Sequence, residues 1–230
     1  MTRTANKPVA KGLPDELHSG DRMTQEEFHR IYTKMPEDFK AELIGGIVYV
    51  ASPTRRRHGK HHLLLGAVFT AYEANTPGVD AADNTTVILA NDAEPQPDLY
   101  LRILPEYGGQ SQTTKEDYIE GAPELVAEIA HSTHALDLND KKEAYAQFGV
   151  SEYLVVSLKE NRLRWFDLRA AKELEADAQG ICRIRTFPGL WIDSGALLKR
   201  AYRPLMDTLT QGLASAEHTE FVKRLASKRK

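Results

Sequence analysis

Cysteine is what the sequence has least of. Its 230 residues hold one, Cys182, so an intrachain disulfide and a cysteine-rich zinc ribbon are both excluded. Long apolar runs are missing as well, with none approaching the ~18–20 residues that a membrane span requires. The stretch from Met1 to Leu17 lacks the apolar centre of a secretory signal. These absences lead us to expect a cytoplasmic protein with no membrane partner. Nor is there a glycine-rich phosphate loop ending in Lys-Ser/Thr, or a dinucleotide-binding glycine pattern. Ser132, Ser157 and Ser194 lack the flanking glycines of a nucleophile elbow.

A strong charge of one sign is also missing: 30 Lys+Arg face 33 Asp+Glu, a net of −3. That average hides a segregation. Residues 1–70 carry 11 basic and 8 acidic side chains (+3), 71–178 carry 9 and 21 (−12), and 179–230 carry 10 and 4 (+6). An acidic middle between basic ends fits a cation site beside an anion-binding surface, and equally fits charges scattered over solvated faces. With 41% hydrophobic and 27% charged residues the composition is globular.

Patterning then gives the elements. Thr24 followed by Glu27 is a capping box opening a short helix, and Ala41–Val50 reads as a hairpin around Gly45-Gly46. Apolar residues at 64, 65, 68, 69 and 72 predict a helix from His58 to Ala74, stopped by Thr76-Pro77-Gly78. Strands are expected at 85–89, 98–103 and 125–130, with a polar loop over 105–114. A helix from about Leu138 to Phe148 would have Asp137 as its N-cap and Gly149 as its left-handed stop. Strands at 152–158 and 163–168 flank a turn at 159–161, a further strand is expected at 181–187, and the chain beyond Leu190 reads as helical.

Within this α/β pattern two carboxylates stand in unusual places. Glu128 lies in Leu125-Val126-Ala127-Glu128-Ile129-Ala130, a run apolar on both faces and therefore expected to be central in a sheet. An ionised glutamate there needs a cation or donor: a metal, or a buried ion pair with Lys141 or Lys142. Asp98 opens Pro97-Asp98-Leu99-Tyr100-Leu101, either as a turn residue or as a second carboxylate converging on Glu128. Such an oxygen pair suits a hard divalent ion, Mg2+ or Mn2+. The densest positive cluster is Arg55-Arg56-Arg57-His58-Gly59-Lys60-His61-His62, either a phosphate-contacting helix start or a solvated one. His58 and His62 have the i, i+4 spacing of a zinc pair, but no third ligand is evident and no glutamate follows His58. The basic residues between Lys223 and Lys230 are read as a frayed, solvated end in preference to a DNA clamp.

Taken in order, several pieces resemble the Uma-type restriction endonuclease family of the PD-(D/E)XK nuclease superfamily. They are Glu42-Leu43-Ile44-Gly45-Gly46, Ser52-Pro53 with His58 beyond, Gln96-Pro97-Asp98-Leu99 and Leu125–Ala130 around Glu128. Asp137-Leu138-Asn139-Asp140-Lys141, Tyr145 to Tyr153 and Phe187-Pro188-Gly189-Leu190-Trp191 follow. The resemblance covers about three quarters of the chain. One departure stands out: the lysine expected two residues after the glutamate is replaced by Ala130.

The resemblance implies a restriction-endonuclease-like core, a central mixed β-sheet flanked by helices, with a helical C-terminal tail. It implies a metal-dependent DNA endonuclease with Asp98 and Glu128 as ligands of Mg2+ or Mn2+; the displaced lysine leaves a non-catalytic nucleic-acid- or protein-binding module on the nuclease fold as the alternative. Lys141, with Lys142 as a substitute, takes the lysine's place in orienting water, and Glu42 is an additional acidic residue or simply a solvated one. Arg55, Arg56, Arg57, His58 and Lys60 are the expected DNA contacts. We expect an arm over 1–20, the nuclease-like domain over 21–195 and a helical extension over 196–230. A homodimer is expected because cutting both strands takes two centres.

Overall fold

The computed structural model describes residues 16–130 and 134–229, without the side chains of His134 and Ala135. Residues 1–15 of the expected arm, and Ser132, lie outside the described residues.

Thr24 closes its capping box as the sequence predicts: its hydroxyl accepts from the Glu27 amide, and its amide donates to the Glu27 carboxylate. Helix α1 (Gln25–Tyr32) follows. The hairpin of β1 (Ala41–Ile44) and β2 (Ile47–Val50) turns on Gly45 and Gly46, both at positive φ, where a side chain would be strained. Buried Glu94 fastens this unit. Its carboxylate binds Gln25 Nε2 at 2.6 Å and His29 Nδ1 at 2.9 Å, and its backbone pairs with Leu43. The hairpin is thereby held to the segment that leads into the main sheet through Pro97 and Asp98.

Helix α2 (Arg56–Ala74) leads to β3 (Val79–Asp83), β4 (Val87–Ile88) and β5 (Leu99–Ile103). A 3-10 turn (Pro105–Tyr107), β6 (Gln112–Thr113), β7 (Ile119–Glu120) and β8 (Leu125–Glu128) come next. The chain continues through α3 (His134–Leu138), α4 (Asp140–Phe148), β9 (Glu152–Ser157), β10 (Arg162–Asp167) and β11 (Lys172–Leu174). It closes with β12 (Ile181–Arg183), β13 (Trp191–Asp193), α5 (Ser194–Lys199), α6 (Tyr202–Leu213) and α7 (Ala216–Lys228).

Six strands form the central sheet in the order β11-β10-β9-β8-β5-β3. It is mixed, with β8 parallel to β9 and the other neighbours antiparallel. Strand β8 is central, which is why it is apolar on both faces. Its side chains alternate between two cores: Leu125 and Ala127 face α2 and the C-terminal helices, while Val126 packs with Tyr145 of α4. By the same alternation Glu128 falls on the α4 side. A third cluster joins Phe28 and Ile31 of α1 to Leu43 and Val48 of the hairpin.

Six expectations need correction. The single helix at 138–148 is two, α3 and α4, separated at Asn139 (φ −120°, ψ −87°). Asp137 therefore sits inside α3, buried and 3.9 Å from Lys141 Nζ, and does not cap α4. Strand β3 is absent from the sequence reading because Val-Asp-Ala-Ala-Asp has poor strand propensity. Pairing with β5 overrides that, anchored by Asp80 on the guanidinium of Arg102 at 2.6 Å. The loop at 105–114 contains the 3-10 turn and β6, and β13 precedes the C-terminal helices. Finally, α7 is no frayed end: Ser215 caps it, and Phe221 and Leu225 are buried in the main core. Among the described residues no helix is long and apolar enough to cross a membrane.

Cys182 packs in this core on β12, and burial pushes its thiol up to about 12. Thiolate is then scarce at neutral pH. We expect a disulfide reagent at pH 8 to label the native protein at least about 100-fold more slowly than the urea-unfolded chain, because labelling requires opening of the core. Equal rates would contradict that packing.

Candidate active site

Strands β5 and β8 pair with Leu99 opposite Ala127, which sets Asp98 opposite Glu128 at the same end of the sheet. Each carboxylate grips the other strand's backbone. The Asp98 amide donates to Glu128 Oε2 at 3.3 Å, and the Ile129 amide donates to Asp98 Oδ2 at 2.7 Å. Lys141, the second residue of α4, reaches back to the same point. Its Nζ lies 2.9 Å from Glu128 Oε1 and 2.8 Å from Glu42 Oε1. Tyr145, one turn further on, donates its hydroxyl to Glu128 Oε1 at 3.1 Å. Glu42 arrives on β1 and also accepts from the Gln96 amide at 2.7 Å, tying the hairpin to the residue pair before Asp98.

Lys142 points elsewhere, with Nζ 5.0 Å from the centre of the Phe166 ring. Of the two lysines that the sequence left open, Lys141 is the one that meets these carboxylates.

The electrostatics follow from crowding. Burial pushes the Glu128 carboxyl well above its ordinary range, Lys141 pulls it back, and Asp98, Asp137 and Glu42 add to the rise. Burial also disfavours the Lys141 ammonium, but Glu128, Glu42 and Asp137 outweigh it and hold its pKa well above the usual value. For Asp98, burial is overcome by the hydrogen bond and charge of His58, the Ile129 amide and Lys141, so its carboxyl sits below its ordinary value. Four carboxylates thus surround one ammonium, an excess of negative charge that a divalent cation would offset.

A cavity of about 430 Å3 opens over these groups, lined by Glu42, Asp98, Glu128, Asp137 and Lys141 on one side and by Arg55, His58 and His62 on the other. Arg55 is the N-cap of α2, which has no side-chain cap and no acidic residue in its first turn. Its free amides and dipole therefore favour an anion at the cavity mouth. Arg56, Arg57 and Lys60 are exposed on the same helix start but lie outside the lining, and Arg57 reaches Asn161 at 3.4 Å. None of the basic residues of α7 lines this cavity.

Two features are only half legible in the sequence. Asp137 shares a face with Lys141 and Tyr145 at i, i+4, i+8 spacing, but it joins the carboxylate cluster instead of capping a helix. The His58–His62 pair stands in the sequence without a third ligand, and Asp98 supplies one: His58 Nε2 lies 3.1 Å from Asp98 Oδ2, and His58, His62 and Asp98 each offer a ligand atom within 4.8 Å of the others. The signal was present, since positions 58, 62, 65, 69 and 72 form one stripe of α2, apolar in its last three members and histidine in its first two.

Comparisons with known proteins agree with this architecture. The family described as "Uma2: Putative restriction endonuclease" matches residues 25–195. Among solved structures, "a putative nuclease belonging to DUF820" from Anabaena variabilis ATCC 29413 superposes with a TM-score of 0.56 at 12% identity. The match covers 78% of this chain and 97% of that one, a likeness of fold. The curated proteins contain no match. With the family match running from α1 to the start of α5, the chain belongs to the Uma2 family, and its α/β fold is nuclease-like.

Proposed function

We propose that this protein is a divalent-metal-dependent DNA endonuclease that hydrolyses phosphodiester bonds at the end of β5 and β8. The observation that carries the reading is the Asp98–Glu128 pair in register on adjacent strands, with the Lys141 ammonium on Glu128. Asp98 and Glu128 would hold the ion, Mg2+ or Mn2+. Once bound, it supplies Lewis-acid polarisation of the phosphate and lowers the pKa of water. Lys141 orients the attacking water, and its contacts to Glu42 and Asp137 fix its ammonium in place. Glu42 completes the acidic set, while Arg55, with Arg56, Arg57, His58 and Lys60 behind it, carries the DNA backbone to the cavity mouth. We assign this activity to residues 21–195, with 196–230 as a helical extension, and a second copy would serve the second strand.

The test is plasmid cleavage with Mg2+ or Mn2+ by the wild type and by an Asp98→Ala/Glu128→Ala double variant. Cleavage that is chelator-sensitive and lost in the double variant is the expected result. Equal cleavage by both proteins would refute the assignment. DNA binding that persists in chelator, with no cleavage under any metal, would point to a non-catalytic binding module on the nuclease fold.

A further inference from the structure

The stripe of α2 that buries Leu65, Phe69 and Tyr72 against the sheet surfaces into the cavity at its N-terminal end, and there it presents His62 and His58. The two rings meet edge to face with centroids 6.0 Å apart. His58 Nδ1 and His62 Nε2 are buried without a hydrogen-bond partner. His62 Nε2 lies 3.4 Å from Asp83 Oδ2 but is not aligned for a bond, and Asp83 is 65% exposed. Asp98, reached from the other side by β5, uses Oδ2 for both His58 and the Ile129 amide. A buried, unpaired imidazole nitrogen loses hydration without compensation. Two imidazoles, each with a nitrogen that makes no hydrogen bond, together with the Asp98 carboxylate offer a donor set suited to a first-row transition ion.

We propose that His58, His62 and Asp98 form a nitrogen-containing metal position adjoining Glu128, and that it selects Mn2+ or another first-row transition ion over Mg2+. The inference rests on the reading that places a metal at Asp98, and it identifies that metal's class. Metal–ligand bonds to histidine nitrogen and carboxylate oxygen run ~2.0–2.2 Å, so ligand atoms now within 4.8 Å need to close by roughly 1 Å. Side-chain rotation supplies that, because both rings and the Asp98 carboxylate border open cavity. Mg2+ keeps its waters and prefers oxygen, so imidazoles add little to its affinity. A transition ion gains from each nitrogen. Asp98 then serves two neighbours, with Glu128 on one side and the histidines on the other.

The experiment is a Mn2+ titration of the full-length protein followed by electron paramagnetic resonance, with spin-echo detection of nitrogen coupling. Bound Mn2+ is expected to show modulation from directly ligated imidazole nitrogen. His62→Gln should weaken Mn2+ at least about tenfold while leaving Mg2+ affinity unchanged, and His58→Gln, which also removes the partner of Asp98, should weaken Mn2+ by at least as much. Bound Mn2+ without nitrogen modulation would overturn the inference, and the wild-type spectrum alone decides this whatever the variants do. If Mn2+ binding nevertheless disappears in the Asp98→Ala/Glu128→Ala variant, the carboxylate centre stands without the histidines. Nitrogen-ligated Mn2+ in a protein that cleaves no DNA would keep the metal position and remove the endonuclease reading. Failure to bind Mn2+ at all would overturn both.

Discussion

Replacing Lys141 by methionine lowers the stability of the metal-free protein by about 3–5 kcal/mol, the range for stripping one partner from a buried charge cluster. The ammonium is 5% exposed and stands within 4 Å of Glu42, Glu128 and Asp137. Without it, three carboxylates face one another in a site where burial already raises Glu128. The loss carries a pH signature. Carboxyls whose folded pKa rises above the unfolded value bind protons more tightly when folded. Their contribution is favourable at low pH and is lost as pH rises through the folded pKa. The deficit of Lys141→Met is therefore smallest near pH 4 and reaches its full size toward neutrality. Urea midpoints measured at several pH values check this. Lys142→Met, which removes a partly exposed ammonium over Phe166, should shift the midpoint by under about 1 kcal/mol. A double variant Lys141→Met/Glu128→Gln should recover part of the loss. Equal effects at 141 and 142 would remove Lys141 from the centre of this cluster.

Which parts of this site were legible beforehand depends on how local the determining interaction is. The capping box of Thr24 and Glu27, the Gly45-Gly46 turn and the Gly149 stop are each set within a few residues, and each stands where the pattern puts it. The double-sided apolar run around Glu128 also carried its own meaning, because only a central strand buries both faces. Strand β3 was not legible, since its two aspartates find their reason in Arg102 and in pairing with β5. Asp137 misled for a related reason. An aspartate before a helix satisfies capping rules locally, whereas the break at Asn139 puts this one inside α3, beside a Lys141 ammonium that Glu128 holds from the sheet.

The histidine pair shows the same limit at the site itself. Its i, i+4 spacing is a property of α2 alone, but its third donor comes from Asp98, some forty residues later, and appears only once α2 lies across β5. The charge layout belongs with it. The acidic middle of the chain supplies Asp98, Glu128 and Asp137, and the basic start of α2 supplies Arg55, so the cavity joins both signs. Among the described residues, none of the basic side chains of the C-terminal segment 179–230 lines that cavity.

Glu128→Gln is expected to separate catalysis from folding. Glutamine keeps an oxygen that accepts from Lys141 and Tyr145, the two bonds now made by Oε1 at 2.9 and 3.1 Å. The weaker 3.3 Å acceptor contact with the Asp98 amide is lost. Against that, one negative charge leaves a group of four, and Lys141 retains Glu42 and Asp137. Removing a buried charge while its partner stays compensated is close to neutral, so the metal-free urea midpoint should move by no more than about 1 kcal/mol. Cleavage has no such compensation. A neutral amide holds a divalent ion poorly, and losing a preorganised charge at a phosphoryl centre typically raises the barrier by about 2.7–4 kcal/mol, or 10²–10³ in rate. Rates on plasmid DNA under saturating Mn2+, set beside urea midpoints, distinguish the two roles that the sequence allowed this residue. A variant that cleaves normally but loses several kcal/mol of stability would make Glu128 the counter-ion of Lys141 and nothing more. A stable variant without activity makes the carboxylate's burial a cost the fold carries for its chemistry.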